Sequence, residues 1–296
     1  MRLLIYGAGV IGSLYAVLFD DAGYDTTIYA RRKRLESLRK DGLRYQKGNK
    51  ILKKNVKVLD HLEDDDRFDY IFLTVRGDQV HQALKELKSN ESPTIVTMVN
   101  SIENYQSWEN LCGAGRILPA FPGAGGDFKE EVLDAALTPR MVQPTTFGEI
   151  DGSKSQRVIA LKDIFRKSKI PYQIVKDMHT WQLCHLAMVV PIADVYAEVE
   201  DPARTGYNQE LMIKTALRLK RNFITLYRNS IVLSPQKMHL LRFIPKHLLA
   251  FFLRFVYQSS FGQKFMYGHV QKAPEEIRQL HTQFYSYMIY LDKAKA

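Results

Sequence analysis

The chain has 296 residues, of which 46% are hydrophobic and 25% charged, a globular mixture that excludes intrinsic disorder as the main state and suggests about two domains. The net charge of +10 is unevenly placed: from Arg204 onward there are 15 Lys and Arg against 4 Asp and Glu, a surplus of +11. Two cysteines, Cys112 and Cys184, exclude a disulfide framework and lack the spacing of a zinc or dithiol site, so no metal is expected.

Strand-like residues begin at Arg2, directly after Met1, leaving no room for a secretory leader; a cytoplasmic protein is expected. Apolar runs at residues 3–6, 25–29, 70–75 and 94–99 are separated by segments long enough for crossover helices, the pattern of a parallel sheet covered on both faces. Further strands are expected at 116–120 and around 145–148, with a turn at Asp151-Gly152. From about Thr180 the pattern becomes helical, with predicted helices at 180–199, 202–228 (Pro202 at the first position behind Asp201 as cap), 235–257 and 274–291. Pro191 and Pro245 should kink or break two of them. The fold class expected is α/β: an N-terminal Rossmann domain with a doubly wound parallel sheet over residues 1–175, then an all-helical domain for substrate binding or dimerisation over 176–296. The longest apolar run of the third helix, 248–253, is far short of the ~20 residues of a membrane span.

Gly7, Gly9 and Gly12 form GxGxxG between the first strand and a helical stretch. Gly7 permits the tight turn, Gly9 lets backbone approach a pyrophosphate, and Gly12 allows helix to pack on strand. The first-turn N–H groups of Val10 and Ile11 then face the phosphates. Where an NAD site places a carboxylate at the end of the second strand, this chain has Ala30 followed by Arg31, Arg32 and Lys33. Guanidinium groups bind a 2′-phosphate, so NADP is the expected cofactor, with Arg31 as clamp; the alternative is a basic, solvated first turn.

The stretches GAGVIGSLYA, YARRKRLESLRKDGL, LTVRGDQV, TMVNSIEN and FGEIDGSKSQRV followed by HTW resemble the ketopantoate reductase family in order and spacing over residues 1–182. The resemblance implies an NADP-binding Rossmann domain, a helical C-terminal domain, reduction of a 2-keto acid by NADPH, and substrate bound in a cleft between the halves. By position it implies that Asn100 lies beside nicotinamide and substrate, that Arg76 replaces the family's usual lysine, and that Gln79 is a further cofactor contact. The family's catalytic lysine is missing: counting from Trp181 puts Leu183 in its place, and counting back from Pro191 puts Gln182 there. His185, one helical turn from Trp181, is a replacement proton donor expected to titrate near the ordinary histidine value of about 6.5, or else a core residue. Glu275 and Glu276 are either the family's late Glu-Ile or an exposed first-turn pair.

The function expected is an NADPH-dependent reductase of this superfamily, transferring hydride to the carbonyl of an anionic small molecule other than ketopantoate. A non-catalytic NADPH-binding sensor is the alternative. The basic final third reads as a solvated helix face or as a surface for anions, with no motif for specific nucleic-acid binding. The aromatic third helix, with Phe243, Phe251, Phe252 and Phe255, suggests an apolar substrate or, more simply, the interface of a homodimer.

Overall fold

The computed structural model of the chain describes residues 1–199, 202–259, 262, 267, 270 and 274–293. They fall into two units, Met1–Met178 and His179–Ala296. In the first unit the order is β1 (Arg2–Tyr6), α1 (Val10–Asp21), β2 (Asp25–Tyr29), α2 (Arg32–Asp41), β3 (Leu43–Lys47), β4 (Lys50–Lys54), β5 (Lys57–Leu59), β6 (Tyr70–Leu73), α3 (Val80–Glu86), β7 (Ile95–Met98), α4 (Tyr105–Cys112), β8 (Ile117–Phe121), β9 (Ala124–Lys129), β10 (Val132–Leu137), β11 (Thr145–Phe147), α5 (Gln156–Lys167) and β12 (Tyr172–Ile174). The main sheet runs β12-β11-β8-β7-β6-β1-β2-β5, and its strands from β8 to β5 are parallel. Leu3, Ile5, Phe72, Val96, Met98 and Leu118 share one core with α1 and α5, where Phe19 lies 4.7 Å from Phe72. The alternate residues Leu4, Ile71, Leu73, Ile95 and Ile117 are equally buried and point to the other face, so both faces are covered.

Two features depart from a wholly parallel sheet. β11 pairs antiparallel with β8, because the chain returns to the sheet through an all-strand excursion and not through a crossover helix. That excursion helps build a second sheet, β4-β3-β10-β9, in which β3 and β4 form a hairpin turning at Gly48 and Asn49. The FGEIDGSKSQRV stretch is a structural staple. Arg157 Nε and Nη2 donate to the two oxygens of buried Glu149 at 2.7 and 2.6 Å, while its guanidinium also reaches the Gly115 and Ile117 carbonyls. Ser155 donates to the same carboxylate and caps α5.

The second unit contains α6 (Met178–Glu198), α7 (Pro202–Thr205), α8 (Gln209–Arg228), a 3-10 segment (Gln236–Arg242), α9 (Lys246–Gln258) and α10 (Pro274–Lys293). The expected single helix over 202–228 is divided, since Asn208 accepts from the Leu211 N–H at 3.0 Å and starts α8 afresh. The expected cap Asp201 lies outside the described residues. Pro245 ends the 3-10 segment and introduces α9, but Pro191 does not break its helix: α6 continues through it. Proline has no N–H to give the carbonyl four residues back, that of Ala187. Asn222 of α8, itself buried, donates its Nδ2–H to that carbonyl at 3.1 Å.

The substitution Asn222→Leu should therefore cost about 1–3 kcal/mol in urea unfolding, as expected for an unsatisfied buried carbonyl. In a Pro191→Ala background the helix satisfies Ala187 itself, and the cost should shrink. Additive losses in this double-mutant cycle would refute the link.

Candidate functional site

Four neighbouring strands, β7, β6, β1 and β2, end at one edge of the main sheet, and the chain leaves β1 toward β2 on one side while β6 lies on the other. Loops gather ligands at such a reversal of strand order. Gly7, after β1, has φ +118°, its N–H donates to the Tyr29 carbonyl at 3.3 Å, and its own carbonyl accepts from Thr74 Oγ1 at 2.8 Å. A Cβ at Gly12 would stand 2.0 Å from the Gly7 oxygen, so the close packing of α1 on this loop requires glycine. Gly9 is different: it occupies the N-cap of α1, no side chain caps the helix, and a Cβ there would meet nothing within 4 Å. Exposed Gly9 thus leaves room before the first turn of α1, where Val10 and Ile11 follow, at the positive end of the helix dipole, an arrangement that suits an anion.

Arg31 follows β2 in extended backbone and caps α2, while the next residue, Arg32, holds φ +54°, a strained value for a side-chain-bearing residue. The Arg31 guanidinium is half exposed, lies 5.5 Å from the Tyr29 ring centroid, and pairs with Glu86 of α3 at 3.3 Å. Tyr6, stacked on Tyr29 at 4.4 Å, donates its hydroxyl to the same carboxylate. Burial opposes ionisation of Glu86, but Tyr6, Gln82 and Arg31 together hold it below the ordinary carboxylate value. Arg34 secures the loop from behind: its Nε donates to the Ala8 carbonyl at 3.2 Å and Nη1 to Glu131 at 3.1 Å, over the Phe128 ring.

After β6, exposed Arg76 pairs with Asp78 at 3.5 Å, and Gln79, also exposed, occupies the N-cap of α3. After β7 comes Asn100, whose backbone carbonyl lies beside Gly77 and whose Oδ1 is buried with no hydrogen-bond partner. An unmatched buried amide atom is costly, and it points to a ligand. The first unit therefore brings Gly7, Gly9, Val10, Ile11, Gly12, Arg31, Arg76, Gln79 and Asn100 to one sheet edge. Thr74, Glu86 and Tyr6 carry no local sequence signal for a place at this edge. Only their place beside the loop gives them meaning.

His185 belongs to the second unit. Its ring stacks on Trp181, 5.3 Å away at 8°, and burial holds its pKa down to about 4. This departs from the expected ionisation near the ordinary value, because desolvation disfavours the imidazolium. Gln182 and Leu183, the alternatives for the lysine position, are both buried. Glu275 and Glu276 lie in the first turn of α10, where Glu275 pairs with Arg278 at 2.6 Å. Among the described residues no group of three or more His, Cys, Asp or Glu is placed to hold a metal, and no helix is long and apolar enough to cross a membrane.

The first unit is thus a Rossmann-like α/β domain in fold. Residues 3–137 match the family described as ketopantoate reductase PanE/ApbA. A 2-dehydropantoate 2-reductase of Archaeoglobus fulgidus is 28% identical over 179 residues, covering 60% of this chain and 57% of that protein. The chain thus spans little more than half the length of the curated relative it matches. In fold it is similar to D-mandelate dehydrogenase in a ternary structure with NADH and anilino(oxo)acetate (TM-score 0.69, 14% identity, 99% of both chains). It is also similar to a 2-dehydropantoate 2-reductase from Geobacter metallireducens (TM-score 0.68, 15% identity, 99% of this chain and 100% of that one).

Two measurements check this geometry. Thermal melting should separate the glycines: Gly9→Ala leaves the melting temperature nearly unchanged, whereas Gly12→Ala lowers it by several degrees or prevents folding. Equal effects would contradict the packing described. For His185, the folded value of about 4 lies below the unfolded 6.5, so its contribution to stability is complete above pH 6.5 and is lost as pH falls toward 4. That loss amounts to about 3 kcal/mol. Urea titrations of wild type and His185→Gln should show a shallower acid loss in the variant; parallel profiles would refute the burial effect.

Proposed function

We propose that this protein is an NADPH-dependent oxidoreductase of the ketopantoate-reductase-like superfamily, acting on the carbonyl of a 2-keto acid or related anionic compound other than ketopantoate. The observation that carries the reading is the uncapped α1 terminus, with open space before Gly9, at the edge where Asn100 presents an unmatched amide atom. Backbone of residues 7–12 would hold the pyrophosphate, and Arg31 the 2′-phosphate. A reduced nicotinamide held by these residues would supply hydride chemistry. A half-turn of the Asn100 amide presents its N–H in place of Oδ1, where it stabilises negative charge developing on the carbonyl oxygen. That oxygen takes a proton to become a hydroxyl.

Glu86 already occupies Arg31, so a 2′-phosphate must compete with a carboxylate for the clamp. The structurally similar mandelate dehydrogenase is described with NADH. The neutral His185 and the buried Gln182 and Leu183 also favour a second reading, a non-catalytic NADPH sensor, since none of the three is an acid at neutral pH.

Calorimetric titration should give tighter binding of NADPH than of NADH, with a preference that falls about 10- to 100-fold in Arg31→Ala and rises in Glu86→Gln. Equal affinities would sink the NADP assignment. Oxidation of NADPH by a panel of 2-keto acids, ketopantoate included, separates enzyme from sensor. Turnover of one member, lost about 10²–10³-fold in Asn100→Ala, supports the reductase, and robust turnover of ketopantoate contradicts the substrate assignment.

A further inference from the structure

β9 and β10 are joined by the two-residue turn Glu130-Glu131, with Lys129 paired to Val132 across it. Both turn residues hold positive φ, +47° and +64°. Asn and Gly ordinarily fill such a turn, because a side chain in the left-handed region crowds its own backbone. Two consecutive glutamates there are strained, and strain of this kind persists only where the surrounding contacts outweigh it. Arg44 Nη2 donates to the Glu130 carbonyl at 2.7 Å. The Glu131 carboxylate crosses to α2, where Oε2 accepts from Arg34 Nη1 at 3.1 Å and from Ser37 Oγ at 3.0 Å. The Arg34 side chain is only 18% exposed, and its guanidinium lies 4.3 Å from the ring centroid of Phe128 in β9. The hairpin thus gives this cation both a ring to lie on and its counter-ion.

Arg34 reaches the glycine-rich loop in turn. The Ala8 carbonyl accepts from Arg34 Nε at 3.2 Å and from Ser13 Oγ at 3.2 Å. A trans peptide directs its C=O and its N–H to opposite sides. Holding the Ala8 oxygen toward Arg34 and Ser13 therefore turns the N–H of exposed Gly9 away from them. We propose that Glu131 is a positioning residue for cofactor binding: acting through Arg34, it fixes the Ala8–Gly9 peptide with its N–H presented to the pyrophosphate. The inference rests on the dinucleotide reading above and makes the second sheet a support of the cofactor site. Glu131 also sets a negative charge near a site for an anion, an effect of opposite sign. Loss of that charge alone would tighten NADPH binding, whereas loss of positioning weakens it.

Calorimetric titration with NADPH separates the two. Glycine suits a positive φ, so Glu131→Gly should keep a melting temperature near that of the wild type while its affinity for NADPH falls about 3- to 10-fold. Glu131→Gln removes the charge but keeps an acceptor oxygen for Arg34 and Ser37, and it should restore most of the affinity. Glu130→Gly relaxes the same turn without touching Arg34 and should bind as the wild type does. In an Arg34→Ala background Glu131→Gly should cost nothing further, the mark of a residue that acts through another. Unchanged or tighter binding in Glu131→Gly, or an additive loss in the double variant, would overturn the proposal. Amide exchange in the ligand-free protein gives a readout independent of the cofactor: Glu131→Gly should speed exchange at residues 8–13, and Glu131→Gln should not. A wild type that binds neither NADPH nor NADH contradicts the dinucleotide reading, and exchange then decides the link on its own, since equal rates in Glu131→Gly and wild type would refute it.

Discussion

At Gly12 the first turn of α1 comes so close to the preceding loop that one added carbon would stand 2.0 Å from the Gly7 oxygen and 2.5 Å from Thr74 Oγ1. Three segments meet at this point: the loop after β1, the helix that follows it, and the end of β6. Thr74 bonds the Gly7 carbonyl, Gly7 bonds the end of β2, and Arg34 bonds the Ala8 carbonyl from α2. The loop is therefore fixed by four elements before any ligand arrives. Preorganisation of this kind removes the ordering cost from binding and leaves the helix terminus facing open space.

The sheet edge was legible from sequence because its signals are local. GxGxxG sits between a strand and a helix, and the runs at 25–29, 70–75 and 94–99 place Arg31, Arg76 and Asn100 after neighbouring strands. The pairing of Arg31 with Glu86 was not legible, since the two are 55 positions apart and only the fold brings α3 beside β2. The second sheet was missed although its hairpin carries Gly48-Asn49, because the flanking residues are largely polar and the apolar alternation that announces strands is weak there. Arg157 and Glu149, from the FGEIDGSKSQRV stretch that carries part of the family resemblance, form an ion pair tying α5 to the sheet, where removal of Arg157 would strand the buried Glu149 charge.

In the second unit, local rules gave way to tertiary contacts. Pro191 ought to interrupt α6 on propensity alone, and the helix persists because Asn222 replaces the hydrogen bond that proline cannot make. His185 carries a second lesson of the same kind. Its residue type suggests a group that titrates near neutrality, but burial beside Trp181 disfavours the charged ring and lowers its pKa. Residue identity nominates a chemistry, and burial decides whether that chemistry is available at the working pH.

The central claim is that one edge of the first unit's sheet is a ready-made nucleotide site, and amide hydrogen exchange with and without NADPH tests it most directly. The account predicts slowed exchange at residues 8–13, 31–34, 76–79 and 99–101, with the rest of the main sheet unchanged. Saturating NADPH that leaves those amides exchanging at their free rates, or that protects a different edge of the sheet, would contradict it.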